Sequence, residues 1–221
     1  MRAGFVTFEG IDGAGKTTVS RLVLQILRSR GIPAVLTAEP TPGWTGDAVR
    51  RSYADDVGPV AESFLFLADR ATHLPEIRAH LEAGRVVLCD RYADSTYAYQ
   101  GVRLAGVVRD PMGFLERVSA PWLLPPDLTV LVRIDPEEGL RRIQDRAGKV
   151  RFEDLAFLRR VSKNYAVLAR RKGFVVLDGR DPPPEVAARA VAAIEKALTR
   201  STRRGPRARG GTGRGTRARR P

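Results

Sequence analysis

From Phe5 to Thr18 the chain runs Phe-Val-Thr-Phe-Glu-Gly-Ile-Asp-Gly-Ala-Gly-Lys-Thr-Thr, with Gly10, Gly15, Lys16 and Thr17 at the fixed positions of a G-x-x-x-x-G-K-T spacing. An apolar run precedes it and a stretch of helical character follows, the context that separates a phosphate-binding loop from a chance match. Glycines let the backbone of Gly10, Ile11, Asp12, Gly13, Ala14 and Gly15 bend so that successive N–H groups point at phosphate oxygens. The helix that opens at Lys16, Thr17 and Thr18 adds a dipole that favours anions. Lys16 would then sit against β- and γ-phosphates as a point charge, and the Thr17 hydroxyl would hold Mg²⁺. The competing interpretation is a glycine-rich turn with no ligand.

Phosphoryl transfer asks for positive groups where charge spreads over the transferred oxygens, and for in-line placement of donor and acceptor. Besides Lys16 the chain offers Arg91 after a strand, Arg70 on a helix, and Arg142, Arg146 and Arg151 in or beside a charged segment. So many cations suit an acceptor that is itself a phosphate, and water would not need them. Each has a plainer alternative. Arg70 can be a solvated helix residue beside Asp69, Asp90 and Arg91 can be a structural pair, and Arg-rich helix faces are commonly solvated. Phe64 and Phe66 fall in an apolar helix where core packing is the default. His73 and His80 have no Cys or carboxylate at metal spacing and receive no ligand role. Trp44 and Trp122 lie in Pro/Gly-rich stretches expected to be loops.

Elements that can position these groups alternate along the chain. Apolar runs of strand length at 4–9, 34–38, 85–90, 127–135 and 174–177 are separated by helix-length amphipathic stretches at 16–30, from Pro59 to near Gly84, after Tyr92, from Pro136, up to Lys172 and at 183–198. That alternation predicts an α/β fold, a P-loop NTPase-like three-layer sandwich with a parallel sheet of about five strands and helices on both faces. Pro75 is expected to bend the long helix. In open sheets of this kind ligands bind at the carboxyl ends of the strands. The phosphate loop, Glu39, Asp90, Arg91 and the start of the charged segment all fall at such ends. From about 142 to 153 the apolar periodicity lapses while charge stays high, which suits a mobile lid.

The length allows one substantial core, and the interior contains no linker-like stretch. We therefore expect one domain over 1–198 and a basic, disordered tail over 199–221. No apolar run reaches the length of a membrane span, and the chain enters a strand at once without a signal-peptide pattern. A lone Cys89 excludes an internal disulfide and fits a reducing, cytoplasmic setting. The formal net charge of +13 suggests a nucleic-acid binder, but nine Arg fall between Thr199 and Pro221 with no acidic residue, which leaves +4 for the rest. Contact of this tail with nucleic acid is possible but not favoured over a solvated extension.

Taken together, Glu9-Gly-Ile-Asp-Gly-Ala-Gly-Lys-Thr-Thr18, Glu39-Pro40, Leu65-Phe-Leu-Ala-Asp-Arg70, Asp90-Arg-Tyr92 and Ser95-Thr-Tyr-Ala-Tyr-Gln100 resemble the thymidylate kinases, the nucleoside monophosphate kinases that phosphorylate dTMP. The likeness runs from about Phe5 to Leu177 and leaves the tail outside. It implies ATP and dTMP as substrates, Mg²⁺ as the metal and a homodimer. By the same resemblance Phe66 stacks on thymine, Arg70 reaches a thymine carbonyl, Arg91 grips the dTMP phosphate and Asp12 takes the sugar 3′-hydroxyl. Tyr99 crowds the 2′ position, Ser95, Thr96 and Gln100 line the base pocket, and Glu39 belongs to the acceptor site. The loop carries no basic residue between Gly10 and Gly15, so the chain resembles the type whose lid supplies the catalytic arginine, with Arg142, Arg146 and Arg151 as candidates. Ala38 stands where many relatives have Arg, which implies a missing phosphate contact or its replacement by Arg50 or Arg51. Two rival readings are a kinase for another monophosphate or a deoxynucleoside, and a nucleotide-binding protein that contacts nucleic acid through its tail.

Overall fold

Five strands, all read from apolar runs in the sequence, form one parallel sheet in the order β2-β3-β1-β4-β5. The structure, a computed structural model, describes residues 1–144 and 154–200. The strands are Gly4–Glu9 (β1), Ala34–Ala38 (β2), Val86–Asp90 (β3), Leu128–Arg133 (β4) and Phe174–Asp178 (β5). Parallel strands covered on both faces read as continuous apolar runs rather than alternations, and β1 and most of β3 and β4 are buried at successive positions. The central strand β1 pairs with β3 on one side, Phe8 opposite Asp90, and with β4 on the other, Glu9 opposite Leu131. Two neighbouring strands thus end level with the phosphate loop.

Helices Lys16–Ser29 (α1) and Pro183–Arg200 (α8) pack side by side, α1 against β1, β2 and β3 and α8 against β4 and β5. Helices Pro59–Glu82 (α3), Ala93–Arg103 (α4) and Leu155–Leu168 (α7) form a second group, with α4 between α3 and α7 and α3 against β3. The core joins both groups through Val19, Val23 and Leu27 of α1, Ile77 of α3, Leu158 and Val161 of α7 and Ile194 and Leu198 of α8. Proline opens α3 and α8, and also the helices Pro111–Ser119 (α5) and Pro136–Gln144 (α6), at the position where its missing N–H costs least.

Two helices were not marked out individually by the sequence pattern. Trp44–Asp55 (α2) begins at Trp44, so that residue opens a helix instead of lying in a loop, and Pro111–Ser119 (α5) occupies part of the stretch expected to be a Pro-rich loop. The helix after β3 has a polar sequence yet is mostly buried, since its hydroxyls and amide face other polar groups inside the protein. The helix Pro136–Gln144 (α6) stands where Pro136 predicts it. The remainder of the expected lid, with Arg146 and Arg151, and the tail beyond Arg200 lie outside the described residues.

Candidate active site

Gly13 shows why the loop needs its glycines. It has φ 80°, in the left-handed region, and a Cβ there would run into the backbone of Gly139 in the first turn of α6. That close approach lets α6 sit directly on the phosphate loop. Lys16, at the start of α1, is buried and donates from Nζ to the Ile11 carbonyl at 2.8 Å. Burial, reinforced by the Arg91 charge, pushes its pKa down to about 8.

Thr17 and Asp90 meet at the carboxyl end of β3. The Thr17 hydroxyl donates to Asp90 Oδ2 at 2.5 Å, while Asp90 Oδ1 is buried and has no hydrogen-bond partner. A hydroxyl and an under-used carboxylate beside a phosphate loop form the oxygen donor set that Mg²⁺ takes when substrate phosphates and water complete its shell. The residues therefore fit the metal. Asp90 joins Thr17 here, a role not read from the sequence. The available signal was its position as the last residue of a strand adjacent to β1.

The plainer alternative, a structural Asp90–Arg91 pair at the strand end, does not form. Arg91 turns away from its neighbour and pairs with Asp12 on the phosphate loop. Its φ of 69° places a non-glycine residue in the left-handed region, and its N–H donates to the Phe8 carbonyl at 3.0 Å. Burial works against its charge, yet Asp12 raises the Arg91 pKa well above the ordinary value. Burial would raise Asp12, but Arg91 and Lys16 outweigh it and hold that carboxyl below its ordinary value. Asp12 also accepts the Tyr99 hydroxyl at 3.0 Å, and its N–H donates to the same oxygen at 2.9 Å.

A cavity of about 200 Å³ opens beside this pair. Asp12 and Arg91 form its polar end, Phe66 and Tyr53 supply aromatic wall, and Ser95, Tyr99 and Gln100 of α4 line the remainder with Pro40. Phe66 is half-buried and its ring centroid lies 6.3 Å from that of Tyr53. Tyr53, on α2, was missed because α2 itself was not delimited. Gln100 Nε2 donates to Glu62 Oε1 at 3.2 Å.

Other acceptor-site candidates lie in the next layer. Arg70 is 1% exposed, which removes the solvated alternative, and Asp69 beside it bonds Thr41 and Thr45 instead. Arg70 Nη2 donates to Glu39 Oε2 at 2.7 Å and to Thr96 Oγ1 at 2.9 Å, so Glu39, Arg70 and Thr96 form one cluster that does not line the cavity wall. Ser95 donates to Glu9 Oε2 at 2.5 Å and meets the Tyr165 hydroxyl at 3.0 Å. Glu9 also accepts the Tyr92 N–H, and its burial raises its pKa.

Arg142 is held by Glu138, at 2.8 Å from Nε, and by the Gly179 carbonyl, at 2.9 Å from Nη1. Arg50 lines a wider cleft that also contains Thr17, Ala38 and Asp90, and it bonds the Thr41 carbonyl at 2.8 Å. The position without a family arginine and one of its two proposed replacements therefore face one cleft, while Arg51 is exposed and does not line it.

Comparison with known proteins gives a consistent result. A family model described as thymidylate kinase matches residues 8–190. A protein named "Probable thymidylate kinase" from Methanoculleus marisnigri is 41% identical over 206 residues, covering 92% of this chain and 99% of that protein. Proteins with the same name from Natronomonas pharaonis and Methanosarcina mazei are 40% and 37% identical, covering 88% and 90% of this chain and 99% of each relative.

Proposed function

The chain belongs to the thymidylate kinase family, and on that premise we propose that it transfers the γ-phosphoryl group of ATP to dTMP, giving ADP and dTDP. The observation that carries this reading is the Asp12–Arg91 pair, which ties the end of β3 to the phosphate loop and also forms the polar end of a cavity with an aromatic wall. An acceptor whose base packs on Phe66 and whose phosphate reaches Arg91 would present its phosphate to the loop.

The chain's own groups divide the work. The loop backbone from Gly10 to Thr18 and the Lys16 ammonium hold the donor phosphates. Thr17 and Asp90 would hold Mg²⁺, which would supply charge neutralisation at the donor phosphates. Arg91 fixes the acceptor phosphate and Asp12 accepts from the sugar hydroxyl. Tyr99, already bonded to Asp12, fills the space beside the sugar. Ser95 and Gln100 line the pocket and Thr96 steadies Arg70 beneath it. We assign the transition-state charge to Lys16 and to an arginine among Arg142, Arg146 and Arg151. Closure of the 142–153 segment would exclude water.

We further propose that the enzyme is a cytoplasmic homodimer. Cys89 is buried and free, and among the described residues no helix is long and apolar enough to cross a membrane. Val60 and Phe64 on α3 are 41% and 46% exposed, with Ala68 and Ala71 along the same outer face, which supports burial against a second copy.

The test is ATP consumption with dTMP, dUMP, dCMP and dGMP in turn. We expect dTMP to give the highest kcat/KM. Equal use of all four, or a preference for a purine, would overturn the substrate assignment while leaving the kinase chemistry standing.

A further inference from the structure

We propose that His73 is a positioning residue for recognition of the acceptor base, acting through Glu39 on Arg70. The inference rests on the reading of Arg70 as the group that meets the base. The Glu39 carboxylate is shared between two side chains of α3, with His73 Nδ1 at 3.0 Å from Oε1 and Arg70 Nη2 at 2.7 Å from Oε2. The far nitrogen of the imidazole, Nε2, lies 2.7 Å from Thr37 Oγ1 on β2. A neutral ring with its proton on Nδ1 satisfies both contacts, donating to Glu39 and accepting from Thr37. Glu39, Arg70 and His73 are each 5% exposed or less, so water does not substitute for a lost member.

The consequence lies in the donors of Arg70 that remain unpaired. Nη2 is anchored by Glu39 and Thr96, and the guanidinium carbon sits 5.1 Å from the Tyr92 ring centroid. Nε and Nη1 are buried without any partner, an expensive state for two donors of a charged group. If Arg70 meets the base, these two donors are the ones left to reach a base carbonyl, and their direction follows from where Nη2 is pinned. Glu39 bonded by Arg70 alone could rotate about its side-chain torsions. His73 fixes the plane of that carboxylate, and through it the direction of the unpaired donors. It does so without touching the ligand.

Steady-state kinetics of His73→Ala and His73→Asn test the assignment, the asparagine amide standing near the place of Nδ1. We expect His73→Ala to raise KM for the acceptor about tenfold while KM for ATP and kcat at saturation stay within about twofold, and His73→Asn to recover most of the loss. In a Glu39→Gln background His73→Ala should add little, because the link is already cut. Thr37→Val, which removes the outer anchor with little change of shape, should give a smaller rise in the same constant and serves if His73→Ala fails to fold. An unchanged acceptor KM in the folded variants, or equal losses in both substrates' KM values and in kcat, would overturn the proposal. All variants are assayed with the acceptor that the wild type prefers. If that is not dTMP the substrate reading fails, and the acceptor KM still decides the role of His73.

Discussion

Phe66 is the side chain on which core packing and base stacking make opposite demands. It is half-buried beside Tyr53 and it lines the cavity, so its outer face is available to a ligand. Base–aromatic stacking contributes about 1–3 kcal/mol per base. Phe66→Ala should therefore raise KM for dTMP between about fivefold and 150-fold, with kcat at saturation little changed. A core residue of that size would instead take about 3–5 kcal/mol from stability, so a large fall in melting temperature with unaltered KM would count against stacking. Tests at this scale are needed because residue roles were the least legible part of the sequence. Lys16 and Thr17 were legible, since a fixed spacing defines their place on one loop. Arg70 was ambiguous, because spacing places it one turn from Phe66 but says nothing of burial. Its partner Glu39 is 31 residues away, and only the pairing of β2 with β3 and the packing of α3 on β3 bring the two together. His73 was set aside for want of a neighbouring ligand in sequence, and its partner is the same Glu39.

At the scale of elements, α4 carries a group that the proposed mechanism does not use. Asp94 lies under the first turn of α4, with Thr129 Oγ1 of β4 donating to it at 3.4 Å. Burial and the nearby Glu9 carboxylate push its pKa up to about 7, against the opposing pull of Arg171, Arg70 and the Thr129 hydroxyl. The unfolded chain would titrate this group near the ordinary Asp value, about 4. Between those values the folded state holds more protons than the unfolded one, so stability falls as pH rises from about 4 towards 7. Asp94→Asn should remove this slope, matching the parent near pH 4 and melting higher at pH 8, with each recovered kcal/mol raising the melting temperature by about 2–4 °C. Melting curves across that range decide it, and an unchanged slope would show that Asp94 ionises freely. Legibility of elements followed composition. The five strands stood out because parallel strands buried on both faces are uninterrupted apolar runs. Helices α2 and α5 did not, because α2 opens beside Pro and Gly with a polar sequence, and α5 is nine residues long between prolines.

For the molecule as a whole, the parallel α/β class was legible in the alternation of strands and helices, whereas the strand order, with β1 central, depends on long-range pairing that no local pattern encodes. The question that remains at this scale is where the folded unit ends. Leu198 is fully buried and a Cβ at Gly4 would collide with its side chain, so the last turns of α8 belong to the core. Residues 201–221 hold eight arginines and no acid, and ending the chain after Arg200 lowers the formal net charge from +13 to +5. We expect the chain ended after Arg200 to keep the full kcat, KM values and melting temperature. A chain ended after Lys196 loses Leu198, at a cost of about 2–5 kcal/mol, and should melt lower by about 2–4 °C for each of them. The full chain and the chain ended after Arg200 together test the tail as a nucleic-acid arm. If the full chain binds single-stranded DNA with an affinity that falls steeply with salt and the shorter one does not, the arginines bind phosphates. Turnover unaffected by the truncation places that binding outside the kinase reaction. A loss of turnover on removing 201–221 would show that the tail takes part in it, and would move the boundary of the catalytic unit past α8.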